Sequence, residues 1–253
     1  MRQRINVGIR TVVRDQLNAT LASLIPICNE HQLIIDIVVN GDCDLSESHR
    51  AIIRVLRKRA GVYVWRERQR GAGIALYSLF EILLGRLNTM NYVWLMDDDT
   101  IVSKEFLNLA LAKDVDILAA VQWVEHHMFD ETNEYIGKEY INYPIAEPYC
   151  SIINADALAT IPLSMFRPLK DYGGWVDWLY MSRMFMLMGL DIVCLGDAGI
   201  FHLYVPDDWR TWAESDDLRT VADRIAIMWD EIDDIITLKE FCDRENAKYD
   251  KSK

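Results

Sequence analysis

The sequence is short of positive charge. Its 253 residues contain 27 Lys and Arg against 39 Asp and Glu, which gives a formal net charge of −12. This balance argues against a nucleic-acid-binding protein, because such proteins usually carry a broad basic surface. A nucleotide held through a metal ion stays compatible with it, since the metal supplies the positive charge locally.

Cysteine is also scarce, and no pair has a spacing typical of metal sites. The five cysteines are Cys28, Cys43, Cys150, Cys194 and Cys242. An odd number without such spacing predicts free, mostly buried thiols in a reducing compartment.

Long apolar runs are missing as well. The most apolar later stretch, residues 178–190, is too short to span a membrane and contains Arg183. Only a short apolar run follows residues 1–4, so we expect no signal peptide and a cytoplasmic protein. Peripheral attachment to the inner face of a membrane stays open.

The chain has the composition of a globular protein, with 51% hydrophobic and 26% charged residues. No internal repeat or low-complexity linker divides it. We therefore expect one domain over residues 1–205 and a helical C-terminal extension over residues 206–253, built mainly from amphipathic helices within 218–241.

Strand-like and helix-like patterns alternate through the first hundred residues. Apolar strand patterns occupy 5–9, 34–39, 62–65 and 92–96, and helical spacing begins near residues 17, 46 and 71. A β-α-β-α-β-α-β order predicts a parallel sheet with right-handed crossovers. In such sheets, ligands bind beyond the carboxyl ends of the strands.

The second half of the chain is less regular. We predict helices over 103–112, 155–159 and 179–188, strands over 115–124, 150–153, 192–195 and 200–204, and a loop over 162–174. Residues 125–148 are expected to form a hairpin and loop that cover the site.

Three consecutive carboxylates, Asp97, Asp98 and Asp99, follow the fourth strand pattern. Adjacent carboxylates repel one another and need a counter-charge. Mg²⁺ or Mn²⁺ is a natural one, because these hard cations prefer oxygen ligands and bind together with phosphates. The alternative is a solvated acidic turn.

Five motifs in order resemble the GT-A glycosyltransferases of family 2, which are inverting, nucleotide-sugar-dependent enzymes. The motifs are a T-x-x-R turn at 11–14, a base-binding loop at 40–42, a glycine turn at 68–73, a D-x-D motif at 97–99 and an acceptor-side acidic motif at 175–178. The resemblance covers residues 5–205. The Met-Asp-Asp-Asp run, with the Gly-Ala-Gly turn and the Trp-x-Asp motif, is similar to the galactofuranosyltransferase-like branch.

This chain departs from the family pattern at three positions. Asn40 and Gly41 stand where the base-binding loop usually has Asp, Val176 stands where an acid is common, and Arg70 replaces a first glycine. These departures leave the identity of the nucleobase open.

The resemblance implies an α/β fold of GT-A (Rossmann-like) type, with a mostly parallel central sheet flanked by helices. It divides the domain into a nucleotide-binding half at about 1–100 and an acceptor half at about 101–205. It implies transfer of a sugar from a nucleoside-diphosphate donor, UDP-linked, to a hydroxyl of a glycan or lipid-linked acceptor, with Mn²⁺ or Mg²⁺ as cofactor.

The resemblance also implies roles for individual residues. Asp97 and Asp99 would bind the metal with His202 as a third ligand, although a lone His after an apolar run is commonly a core residue. The implied donor-binding residues are Thr11, Arg14, Asn40, Asp42, Arg70, Gly71, Gly73, Asp97 and Asp98. Any of Arg10, Arg14, Arg66, Arg68 and Arg70 could reach the diphosphate, because arginine suits phosphate oxygens.

Asp177 is the candidate general base. It lies between Trp175 and Trp178 at a predicted helix start, and neighbouring indoles would limit its hydration and raise its pKa. The two tryptophans are suited to stack on an acceptor sugar. The alternative role for Asp177 is a helix N-terminal cap, and one residue can do both.

Two other functions stay open. A nucleotidyltransferase would also use paired Asp and Mg²⁺, but residues 10–15 contain neither the Gly nor the Lys that its first loop requires. A non-catalytic protein that binds nucleotide-sugars is the second alternative.

Overall fold

The computed structural model describes residues 2–120, 139–140, 150–173, 176–195, 200–202 and 232–250. Its first hundred residues confirm the predicted alternation of strands and helices. The elements are β1 (Arg4–Thr11), α1 (Leu17–Glu30), β2 (Gln32–Asn40), α2 (Glu47–Leu56), β3 (Gly61–Glu67), α3 (Ala72–Leu84), a short 3₁₀ helix (Leu87–Thr89) and β4 (Tyr92–Asp97).

The second half adds shorter elements. They are β5 (Thr100–Val102), α4 (Lys104–Ala112), β6 (Ile117–Ala120), β7 (Glu139–Tyr140), β8 (Cys150–Asn154), α5 (Ala155–Ala159), a 3₁₀ helix (Leu163–Asp171), α6 (Val176–Leu187), β9 (Ile192–Leu195), β10 (Ile200–His202) and α7 (Ile235–Asp250). The prediction of a loop over 162–174 was wrong, because Leu163–Asp171 forms a 3₁₀ helix. Strand β5 was not predicted, because three residues are too few for a period to show.

Serine side chains begin two of the helices, as their positions in the sequence indicate. Ser46 accepts a hydrogen bond from the backbone N–H of His49, whose ring accepts one from the Ser46 N–H, so the two residues form a capping box. Ser103 accepts from the backbone N–H of Phe106 at 3.3 Å and caps α4.

The strands form a mixed sheet in the order β3-β2-β1-β4-β8-β6-β9-β7, together with a separate β10-β5 pair. Strands β1 to β4 are parallel, and β8 runs antiparallel between β4 and β6. The first four strands therefore end at one edge of the sheet, where the polar motifs follow them. This is the mostly parallel α/β sheet that the sequence predicted.

Two apolar clusters cover the faces of the sheet. Val93 and Leu95 of β4 point into one cluster, with α3, α6 and α7, while Trp94 and Met96 point into the other, with α1 and α4. All four side chains are essentially inaccessible to solvent. Strand β4 is therefore buried on both faces, and this burial fixes the position of the acids that follow.

The described part of the C-terminal extension is α7, which packs on α6. The boundary at residue 205, most of the hairpin and loop segment 125–148 and part of the helical segment 218–241 lie outside the described residues. No helix in the described ranges is both long and apolar enough to cross a membrane. All five cysteines are free thiols, and Cys43 alone of the five is not buried.

Candidate active site

The ends of β1 and β4 bring two sequence motifs side by side. The strand register pairs Arg10 with Asp97, so the turn that follows β1 lies next to the acid triplet that ends β4. The two segments are 87 residues apart in the sequence. Their contacts form the centre of the candidate site.

Arg10 binds carboxylates from both halves of the chain. Its Nε and Nη2 donate to the two carboxylate oxygens of Asp97 at 2.6 and 3.3 Å. Its Nη1 donates to Asp177 Oδ2 at 2.7 Å and to the carbonyl of Ala72 at 3.4 Å. Burial would lower the pKa of the guanidinium, but the two carboxylates outweigh burial and raise it. Arg10 therefore remains charged and joins Asp97 to Asp177.

Asp98 binds the turn that follows β1. Its carboxylate accepts from the hydroxyl of Thr11 at 2.5 Å and from the backbone N–H of Val12 at 3.3 Å. Burial, reinforced by the neighbouring acids and opposed by Thr11 and Arg14, raises its pKa to about 6. A substantial fraction of Asp98 is therefore protonated in weakly acidic solution.

The turn that follows β1 has a strained backbone. Val13 has φ = 62°, a left-handed conformation that is rare for a β-branched residue. The hydroxyl of Thr11 accepts the Val13 N–H at 2.7 Å and so supports this conformation. Such strain is commonly retained at functional sites.

Asp99 lies against a second arginine. Arg14 Nη1 donates to Asp99 Oδ2 at 3.3 Å, and both side chains are largely buried. In this structure Arg10 and Arg14 thus supply counter-charge to the triplet, a role for which the sequence predicted a metal ion. Asp97 has the most accessible carboxylate among these ion pairs, with 23% of its side chain exposed.

Asp177 lies in the first turn of α6 and its side chain is fully buried. Besides Arg10, its carboxylate accepts the backbone N–H of Trp178 at 2.8 Å. Burial raises its pKa, opposed by Arg10. Asp177 therefore combines a raised pKa with a local hydrogen bond at the start of the helix, and its role as the general base stays a prediction.

The donor chemistry of the site fits a hard divalent cation. Two arginines face four carboxylates, so the site keeps an excess of negative charge. The pairing of β10 with β5 also places the backbone of His202 opposite Thr100, directly after the triplet. Among the described residues, however, no three His, Cys, Asp or Glu side chains converge on one point.

The base-binding loop and the glycine turn hold each other in place. Asn40 donates to the carbonyl of Gly71 at 3.0 Å and accepts the Gly71 N–H at 3.3 Å. A Cβ on Gly73 would lie 2.0 Å from the carbonyl oxygen of Leu169, so close packing requires glycine there. Asn40 and Gly73 therefore have structural roles, and their contact with a donor stays a prediction.

The remaining candidates lie around this centre. Asp42 and Arg70 are exposed, and the side chain of Arg70 lies over Gly41, which has φ = +84°. Trp178 is half-buried on α6, and Trp175 lies outside the described residues. Sequence reasoning considered Arg10 only as one of several phosphate-binding arginines and missed its bridge to Asp177.

No protein-family model matches the chain, and the search of curated proteins finds no match. Solved structures do match it, at low sequence identity. TarS of S. aureus (residues 1–349) is 15% identical, with a TM-score of 0.55 over 96% of this chain and 69% of that one.

Two further structures were solved with ligands. A mannosyltransferase from Pyrobaculum calidifontis, in complex with GDP-Man and Mn²⁺, is 15% identical, with a TM-score of 0.52 over 84% of this chain and 60% of that one. Glucosyl-3-phosphoglycerate synthase from Mycobacterium tuberculosis, in complex with Mn²⁺, UDP and glucosyl-3-phosphoglycerate, is 14% identical. Its TM-score is 0.52 over 89% of this chain and 79% of that one. These similarities confirm the predicted GT-A fold.

Proposed function

We propose that the chain is a metal-dependent glycosyltransferase. It would move a sugar, with inversion, from a nucleoside-diphosphate donor to a hydroxyl group of a glycan or lipid-linked acceptor. One observation carries the proposal: at the carboxyl edge of a GT-A sheet, Arg10 joins Asp97, the first acid of the triplet, to the buried Asp177.

Asp97 and Asp99, with His202, are the residues that would hold Mn²⁺ or Mg²⁺. A cation bound there acts as a Lewis acid that stabilises the leaving diphosphate. The surplus of carboxylates over arginines supports this assignment, because a dianionic diphosphate would otherwise be repelled. Asp98 would face the donor sugar, and Thr11, Arg14, Asn40, Asp42, Arg70, Gly71 and Gly73 would line the donor site.

Asp177 is the proposed general base. A base must be deprotonated before it takes the proton of the attacking hydroxyl, and its pKa should lie near the working pH. Burial moves the pKa of Asp177 in that direction, while Arg10 limits the shift and favours the ionised form. Trp175 and Trp178, on either side, would present indole faces to the acceptor sugar.

The finer assignments are part of the same proposal. Membership of family 2, proximity to the galactofuranosyltransferase-like branch and a UDP-linked donor rest on the sequence motifs. Neighbours that bind GDP-Man or UDP together with Mn²⁺ support a nucleotide-sugar donor with a divalent metal. A cytoplasmic location is an expectation from the sequence alone, and peripheral attachment to the inner face of a membrane is left open by it.

A thermal-shift panel of nucleotide-sugars, with and without Mn²⁺, tests donor and metal together. We expect one donor to stabilise the protein only with Mn²⁺, by about 2.7 kcal/mol at a hundred times its Kd. Asp99→Asn should abolish that stabilisation and the turnover of donor. Asp114→Asn is the matched control, since Asp114 is an exposed carboxylate in the loop before β6, at the opposite edge of the sheet from the triplet.

The products separate the alternatives. A glycosyltransferase releases a nucleoside diphosphate, whereas a nucleotidyltransferase releases pyrophosphate. Donor binding without hydrolysis or transfer to any acceptor would indicate a non-catalytic protein. If Asp99→Asn turns over donor as fast as the unchanged protein, the proposed role of the triplet is wrong.

A further inference from the structure

The guanidinium of Arg10 is shared between two carboxylates that the proposed function assigns to different tasks. It donates twice to Asp97, the donor-side acid, and once to Asp177, the acceptor-side acid. Only 16% of the Arg10 side chain is exposed, and that of Asp177 is fully buried. Solvent therefore screens these pairs weakly, and a change in one is felt by the other.

We propose that Arg10 is a positioning residue that couples cation binding at Asp97 to the pairing of Asp177. A cation and a guanidinium compete for the same carboxylate oxygens. When a cation binds Asp97, Arg10 keeps only its contact with Asp177. Conversely, when Asp177 loses its charge, Arg10 binds Asp97 more strongly and competes better with the cation for that carboxylate.

This coupling would link the two substrates of the proposed reaction, and it rests on the assignment of Asp97 as a metal ligand. Binding of a metal-loaded donor would pull Arg10 towards the acceptor helix α6. Thermodynamic linkage requires the reverse effect to be equally large, so a change at Asp177 must alter the affinity for the cation. That consequence can be measured without any acceptor.

The test is a double-mutant cycle with Mn²⁺ alone as the probe. Free Mn²⁺ is measured by its EPR signal in titrations of the unchanged protein, Asp177→Asn, Arg10→Gln and the double variant. Asp99→Asn defines the Mn²⁺ that binds away from the triplet. With Arg10 present, Asp177→Asn should weaken Mn²⁺ binding about fivefold, at the lower end of usual coupling strengths.

In the Arg10→Gln background the same change should weaken Mn²⁺ binding less than about twofold, because only the direct field of the lost charge remains. Arg10→Gln leaves a buried carboxylate without its cation and can unfold the protein. If it does, Arg10→Lys takes its place in the cycle, since an ammonium keeps the charge without the fork that binds both carboxylates at once.

Arg86→Gln is the matched control. Arg86 pairs with the buried Asp36 at 3.2 Å, so its loss should lower stability but leave Mn²⁺ affinity unchanged. A purely structural Arg10 would behave in the same way. If Asp177→Asn changes Mn²⁺ affinity equally with and without Arg10, the coupling is wrong, although the metal site itself is not refuted. Absence of Asp99-dependent Mn²⁺ binding in the unchanged protein would instead refute the metal site, and the coupling with it.

Discussion

Asp98→Asn should stabilise the protein at neutral pH. The carboxyl of Asp98 is 5% exposed, and its pKa rises from 3.8 to about 6 on folding, mainly through burial. Each pKa unit corresponds to about 1.4 kcal/mol, so ionised Asp98 lowers the free energy of unfolding by up to about 3 kcal/mol. An amide oxygen can still accept from the Thr11 hydroxyl and the Val12 N–H, which limits the cost of the change.

The sign of the pH dependence follows from which state holds the proton. The folded protein binds a proton at Asp98 more tightly than the unfolded chain does. The energetic penalty is therefore absent below the unfolded pKa of 3.8, grows as the pH rises, and is complete above about pH 6. The advantage of Asp98→Asn should follow the same course and vanish near pH 4.

Urea unfolding of both proteins at several pH values between 4 and 8, without divalent metal, measures this difference. Asp44→Asn is the control, because Asp44 is exposed and Arg66 lowers its pKa, so any effect should be small and of opposite sign. A stability difference between Asp98→Asn and the unchanged protein that is the same at pH 4.5 and pH 8 would refute the reasoning.

Two further predictions concern the packing of residues 163–173, the segment before α6. Gly73→Ala should destabilise the protein by at least about 2 kcal/mol in urea unfolding, because its methyl group would lie 2.0 Å from the Leu169 carbonyl oxygen. Gly173→Ala, whose methyl meets nothing within 4 Å, should be tolerated, and equal losses would contradict the packing argument. Asn246→Ala should speed hydrogen exchange in the segment before α6, since Asn246 donates to the Asp171 carbonyl at 2.7 Å and accepts the Gly173 N–H at 3.1 Å. Unchanged exchange there would show that α7 does not hold this segment.

Local patterns predicted most of the first hundred residues because the signals are local. Strands β1 to β4 are runs of apolar residues, and the helices between them repeat their apolar residues at helical spacing. Ser46 and Ser103 mark helix starts through bonds that span three residues. Such features need no knowledge of the remaining chain.

Prediction failed where structure depends on neighbours that are distant in sequence. Residues 162–174 contain Pro168 and two glycines, which indicate a loop, yet Leu163–Asp171 is a 3₁₀ helix with Phe166 and Leu169 buried against α3. Gly73 was assigned to donor binding from its motif. Only the approach of the Leu169 carbonyl shows why a side chain is not tolerated there.

Within the first hundred residues, the sequence by itself determined the order of strands and helices and the edge of the sheet at which the acidic and basic motifs gather, since both follow from short-range periodicity and from the geometry of parallel strands. Tertiary structure alone decided how the charges pair. Arg10 lies 87 residues from Asp97 and 167 residues from Asp177 along the chain, and only folding brings it within hydrogen-bonding distance of both. Charge pairing depends on distances of a few ångströms between such residues, and no spacing within the sequence encodes them.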